Sequence, residues 1–570
     1  MRKRASVESA AEAYLELLAA RHVEYFFGNA GTDFAPIIEA YARREAQGQV
    51  LPRPMTVPHE IPAVAMAHGY AMVTGRAQVV MVHVTVGTAN ALGGLINAAR
   101  ARAPILMTAG RTPITEGGLP GSRNRHIHWA QESFDQGAMV REYVKWDYEL
   151  RLGAQVETVV DRALAIAQST PAGPVYLTLP REVLSERMTE IEYFDPPRMR
   201  PAAAQVTDPA AVEDAARVLA AARNPIAIVK SSGRDPGAVA PLVALAEALG
   251  MPVFEHASTH LCFPQTHALH AGGDPAPYFG EADAILVVEA DAPWYPALRS
   301  PRPETPVIQV GEDPLYSRYP IRGFAADHAL AGAPRLTLVA LAEAVRRAGL
   351  DGRSVAARRG RWEGEHRRMT EAAAARAQAV RNDRPIDMAW LSRAVGDVLD
   401  DRTIVVNEYD LDLAHTRLSV PGSYFSQSPA SGLGWGLGAA LGAKLAAPDR
   451  TVVSCVGDGA YIFGVPTAAH WAARAHNLPV LFVVFNNRVW NAVRRSVQSH
   501  APEGWSMRTK TIPLSDLDPA PDYEKICEAC GGWGERVEDP ADLPNALARA
   551  LRVVREDKRQ ALLNVICKKP

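Results

Sequence analysis

Apolar residues fall along the chain in short continuous runs rather than in strict alternation. The runs are VEYFF (23–27), AQVVMVHV (77–84), APILMTAG (103–110) and GPVYLTLP (173–180), then PIAIVK, PVFEH, ADAILVVEA and TPVIQVG, and finally TIVVNE (403–408), TVVSCV (451–456) and LPVLFVVF (478–485). Segments with helical spacing separate many of them, such as GTANALGGLINAARAR and VPTAAHWAARAHN. Fully apolar strands alternating with helices predict parallel sheets covered by helices on both faces. Two interruptions divide the series. FDPPRMRPAAAQVTDPAA, rich in proline, reads as a linker, and the charged, alanine-rich stretch from Arg358 to Asp383 reads as an exposed connecting helix. The expected fold class is α/β, with three doubly wound parallel-sheet domains over 1–187, 205–348 and 385–570. The first and third share a strand–helix–strand plan. The opening MRKRASVESAAEAYLELLAARHVEYFF lacks an apolar h-region and predicts an amphipathic helix feeding a strand, not a signal peptide.

Composition adds exclusions. A net charge of −2 gives no global attraction to nucleic acid or anionic lipid. With no run of about 18 apolar residues, no membrane span is expected. Five cysteines make a disulfide scaffold unexpected, and the C-x-x-C at Cys527 and Cys530 lacks a second pair at zinc spacing. A cytoplasmic protein is the default expectation.

The candidate chemistry sits at strand ends. G-D-G (457–459) follows one apolar run and Asn486-Asn487 ends the next. In a right-handed β-α-β unit these strands are neighbours, so Asp458 and Asn487 converge. A carboxylate, an amide oxygen and a backbone carbonyl make a partial cage for Mg²⁺, which takes its remaining ligands from phosphates and water. The implied ligand is a magnesium diphosphate. SGLGWGLGAALG (431–442) superficially suggests a dinucleotide loop, but no clear apolar strand leads into it and no ribose-binding acid follows at the required distance. His126-x-His128 is half a metal site without an obvious third ligand. Trp294, Tyr295, Trp490 and RRSVQSHAPEGW are candidates for a substrate pocket, or for core and lid.

G-D-G followed by N-N resembles the thiamine diphosphate fingerprint. With FGNAGT (27–32), Glu60 before Ala67, Gly69, Tyr70 and Ala71, KWDYE, GPVYLTLP and VNE, the chain resembles the 2-oxo acid decarboxylase and acetolactate synthase family, most closely in the manner of benzoylformate decarboxylases. The resemblance implies thiamine diphosphate and Mg²⁺, with Asp458, Asn487 and the Val489 carbonyl on the metal. Gly432, Leu433, Gly457, Gly459 and Trp490 lie against the cofactor, Leu433 as the wedge that bends it. Glu60 serves the pyrimidine, so that the cofactor's own amine takes the C2 proton. His83 is the proton donor or acceptor, and Thr32 and Gln131 contact substrate. It further implies 2-oxo acid and aldehyde substrates and a homodimer or homotetramer with the active site between subunits. Three departures stand out: no second histidine in DAPWYPALRSP, Asp410 where hydroxyl residues meet the diphosphate, and only a weak signal for FAD in the middle domain. The rival readings are an acetolactate synthase type, a non-catalytic member of the fold and, more remotely, a dinucleotide oxidoreductase.

Overall fold

The computed structural model describes residues 1–409 and 411–569, so Asp410 lies outside the described residues. The first parallel sheet has the spatial order Arg53–Thr56, Tyr25–Gly28, Gln78–Val82, Ile105–Arg111, Val175–Pro180, Asp147–Glu149. The third has Tyr424–Ser426, Thr403–Glu408, Thr451–Gly457, Leu481–Asn486, Ala561–Ile566, Trp533–Val537. Ranked by chain position within each sheet, both run 2-1-3-4-6-5. Each therefore reverses its winding between its first and third strands, where a ligand crevice opens beyond the carboxyl ends. The middle sheet is also parallel: Val253–Glu255, Pro225–Val229, Ala284–Val288, Val307–Gly311, His328–Ala331.

The inner strands are the continuous apolar runs, and burial on both faces accounts for them: every residue of Gln78–Val82, Thr403–Glu408 and Leu481–Asn486 is buried. Edge strands such as Arg53–Thr56 and Asp147–Glu149 are short and only partly buried, so no apolar run marks them. The N-terminus differs from expectation. Arg2–Ser6 is a strand, and the helix begins at Ala10, with the Ser9 hydroxyl accepting from Glu12 N–H. The strand pairs antiparallel with Glu190–Phe194, where Arg2 and Arg4 both reach Glu192. That pairing lies beyond the reach of local helical periodicity. The charged stretch after 350 is one long helix, Gly352–Ala379, with only Trp362 and Ala377 buried.

Helices Glu60–Thr74 and Trp435–Ala446 join the first and third domains with their backbones in contact. A Cβ on Gly442 would lie 1.9 Å from the Met66 carbonyl oxygen, and one on Gly69 would lie 2.1 Å from that of Ala439. No side chain fits there, which explains the glycine-rich 431–442 segment as helix packing. His68 Nδ1 accepts from Trp435 Nε1 at 3.1 Å across this seam. Burial pulls His68 down to about 3, so the ring stays neutral and keeps its acceptor nitrogen. Asn97 clamps the entry to the second helix, accepting from Gly432 N–H (3.0 Å) and donating to Gly432 O (2.8 Å).

Candidate active site

Strand pairing places Gly457 beside Phe485, so Asp458 and Asn487 leave adjacent strands at nearly the same level. Both are buried. Asp458 begins a short helix and accepts from its own helix at Gly459 N (3.0 Å) and from Arg488 N across the gap (2.7 Å). Two backbone donors do not offset its desolvation: burial pushes this carboxyl up to about 6. Asn487 Oδ1 accepts from Val489 N at 3.0 Å, and Trp490 packs under Gly459, where a Cβ would come within 2.4 Å of the indole. Asn486 turns the other way, into a buried chain in which its amide donates to Asn564 (3.0 Å) and Asn564 donates to Glu524 (2.7 Å). Of the asparagine pair, one braces the sheet and one faces the crevice.

A cleft of about 900 Å³ opens over these groups. Leu433, Gly457, Asp458, Gly459, Asn487, Val489 and Trp490 line it, while Gly432 stands just behind in its Asn97 clamp. A buried, under-neutralised carboxylate beside an amide oxygen suits a hard cation that brings oxygen ligands with it. Glu408 stabilises the floor by accepting from Gly434, Trp435 and Gly436 N–H at 2.7, 3.3 and 2.6 Å, although burial raises its carboxyl to about 7.

Glu60 occupies the first turn of its helix and is buried. Asn29 Nδ2 donates to Oε1 at 2.8 Å and Asn90 Nδ2 to Oε2 at 3.4 Å. The helix holding Asn90 starts at Val84, three residues before the glycine expected to open it. Gly87 serves another purpose: a Cβ there would press on Glu60 Oε1 at 3.2 Å.

At the same sheet's switch point, His83 Nδ1 lies 2.5 Å from Asp33 Oδ1, and its Nε2 lies 3.3 Å from Gln131 Nε2. The Asp33 hydrogen bond raises the His83 pKa against the opposing effect of burial. Thr32, His83 and Gln131 line one narrow crevice, closed to a water molecule in the single chain, with Arg111, His128 and Arg181. Gln131 Oε1 is buried without a hydrogen-bond partner, while its backbone carbonyl accepts from Thr85 Oγ1 at 2.9 Å. The neighbouring Glu132 is held by Arg111, Thr112 and Arg123.

The chain was compared with known proteins. Residues 8–139 match the family model "Thiamine pyrophosphate enzyme, N-terminal TPP binding domain", 212–341 match its central domain, and 409–565 match its C-terminal TPP binding domain. The chain belongs to the thiamine pyrophosphate enzymes. Benzoylformate decarboxylase of Pseudomonas aeruginosa is 27% identical over 94% of this chain and 95% of its own. Sulfoacetaldehyde acetyltransferase of Castellaniella defragrans is 27% identical over 98% and 92%. The solved structure of the Rhodococcus jostii RHA1 thiamine diphosphate-dependent 4-hydroxybenzoylformate decarboxylase superposes with a TM-score of 0.79 at 24% identity, covering 99% of each chain, a likeness of fold.

Within a thiamine pyrophosphate enzyme the remaining candidates sort by burial. Trp294 is core, edge-on to Phe279 (5.9 Å) and Phe324 (5.2 Å). Tyr295 borders a second cavity of about 690 Å³, which shares Tyr409, Leu411, Asp412 and Ser431 with the larger cleft. His126 is exposed and His128 buried, and no group of three metal-ligating His, Cys, Asp or Glu occurs among the described residues. No helix among the described residues is long and apolar enough to cross a membrane. Sequence reasoning missed Asp33, Asn29 and Asn90. FGNAGTDF carried the first two, but nothing local shows which side chains turn inward.

Proposed function

We propose that the protein uses thiamine diphosphate and Mg²⁺ to decarboxylate a 2-oxo acid, releasing an aldehyde or joining the retained fragment to a second carbonyl as a 2-hydroxy ketone. The main support is the pairing of an under-neutralised Asp458 beside Asn487 with a second polar centre around Glu60 and His83. Bound thiamine diphosphate supplies a thiazolium that accepts the electron pair left as CO₂ departs. The chain supplies the rest. Asp458 and Asn487 Oδ1 would hold Mg²⁺ with the Val489 carbonyl, and Gly432, Leu433, Gly457, Gly459 and Trp490 wall the cofactor cleft. Glu60, steadied by Asn29 and Asn90, holds a proton for the pyrimidine ring. His83 gives or takes a proton, and Thr32 and Gln131 orient the substrate.

The two centres lie in different clefts of one chain: the cleft over Asp458 is lined by residues 376–495, and the crevice at His83 by residues 32–181. This supports a homodimer or homotetramer in which one subunit's Glu60 and His83 meet another's Asp458. Gln131 also favours a carboligase version, as in an acetolactate synthase type. Its side-chain N–H can donate to the oxygen of a second carbonyl substrate.

The test is CO₂ release and product analysis over aliphatic and aromatic 2-oxo acids, the aromatic ones suggested by the relatives' names, with thiamine diphosphate and Mg²⁺. Release from at least one acid, lost on chelation, is expected. Cofactor binding without release from any of them would revive the non-catalytic reading. A flavin absorbance in the purified protein would favour the acetolactate synthase type.

A further inference from the structure

We infer that Asp33 is the positioning residue of His83: it holds the hydrogen on Nδ1 and so presents Nε2 as the one nitrogen that exchanges a proton with the substrate. This rests on the role of His83 proposed above and adds a residue and an orientation to it.

The arrangement is built into the backbone. Two glycines make room for the pair. A Cβ on Gly31 would fall 2.1 Å from His83 Nδ1, and one on Gly110 would fall 1.8 Å from Asp33 Oδ2. Asp33 itself is only 4% exposed, so its charge needs the imidazole close by. Its second oxygen lies 3.4 Å from the N–H of Val84, a β-branched residue at φ +33°. A β-branched side chain is rarely found at positive φ, and such strain persists only where surrounding contacts over-determine it. The one carboxylate thus ties down both the ring of His83 and the bent backbone that follows it.

The other ring nitrogen has no carboxylate partner. Nε2 lies 3.3 Å from Gln131 Nε2, on the side of the ring away from Asp33. The charged and titratable groups around the ring are Asp33, Glu60 at longer range, and His128, Arg111 and Arg181 across the crevice. The acids favour the imidazolium, the arginines oppose it, and the nearest group by far is Asp33. With Nδ1–H retained by Asp33, the proton given up leaves from Nε2. The ring then becomes neutral with its lone pair toward the substrate, ready to take a proton back.

Nitrogen-15 NMR of the histidines and kinetics of Asp33→Asn test this separately. In the wild type the neutral ring of His83 is expected as the Nδ1–H tautomer, which needs no variant to fold. In D33N the His83 pKa is expected to fall by about one unit or more. The limb of the kcat profile that reports His83 is expected to move to lower pH by the same amount. Turnover near neutrality is expected to drop about 10–100-fold with KM nearly unchanged, and the same change in a His83→Ala background is expected to cost nothing further. An Nε2–H tautomer in the wild type, an unmoved His83 titration in D33N, or an equal loss in the His83→Ala background overturns the inference. Failure of the decarboxylase reading is recognised separately, as absence of CO₂ release by the wild type.

Discussion

Replacing Glu60 with glutamine is expected to lower turnover by about 10²–10⁴-fold, the range for loss of a positioned acid–base group. The substitution keeps the shape: the one amide oxygen still accepts from Asn29, 2.8 Å from the carboxylate, and the Asn90 amide, 3.4 Å away, turns over to accept from the new NH2. What is lost is the ability to hold and return a proton, so the cost falls on chemistry and not on folding. The rate of C2–H exchange in the bound cofactor is the direct readout. An exchange rate like the wild type's, in a folded protein with cofactor bound, rejects the role given to Glu60.

Asp458→Asn is expected to abolish Mg²⁺-dependent cofactor binding and yet to leave the cofactor-free protein about as stable as the wild type at neutrality. The carboxyl sits at about 6 in the fold, above its ordinary 3.8. A group raised in this way favours the fold most below pH 3.8, and the advantage is lost as pH rises through 6. At neutrality the buried, ionised Asp458 therefore costs on the order of 2–3 kcal/mol unless a cation compensates it. Asparagine removes the charge and the cation's anchor together, but its single oxygen can accept from only one of the Gly459 and Arg488 N–H groups, and the donor left over costs about 1–3 kcal/mol, which offsets the gain. Thermal scans at pH 7 should show a midpoint for the cofactor-free variant close to the wild type's and no further rise with Mg²⁺ and thiamine diphosphate. A variant that keeps the Mg²⁺-induced rise contradicts this account.

Inner strands and the shared cleft of Asp458 and Asn487 were legible in the sequence because their signals are local. A strand buried on both faces must be apolar throughout, and G-D-G and N-N stand at the ends of such strands. Outermost strands such as Arg53–Thr56 and Asp147–Glu149 are only partly buried and lack that pressure, while YFS at 424–426 is largely buried but too short to leave a pattern. Partnerships across the chain were the harder part. Asp33 and His83 are 50 residues apart and are brought together by the order of one sheet, while Asn97 and Gly432, 335 apart, meet where the first domain packs against the third. The glycines of 431–442 show the limit most plainly. Their spacing mimics a nucleotide loop, but Gly442 is there because the Met66 carbonyl lies where its side chain would be.

The central claim is that Glu60 and Asp458 serve one active site from two chains. Co-expression of E60Q with D458N, each inactive alone, tests it most directly. In a mixed dimer one site collects both substitutions and the other neither, so co-assembled protein should regain about a quarter of the wild-type activity if subunits pair at random. Mixed dimers that form, bind cofactor and remain inactive would place both residues in the same chain's site and contradict the account.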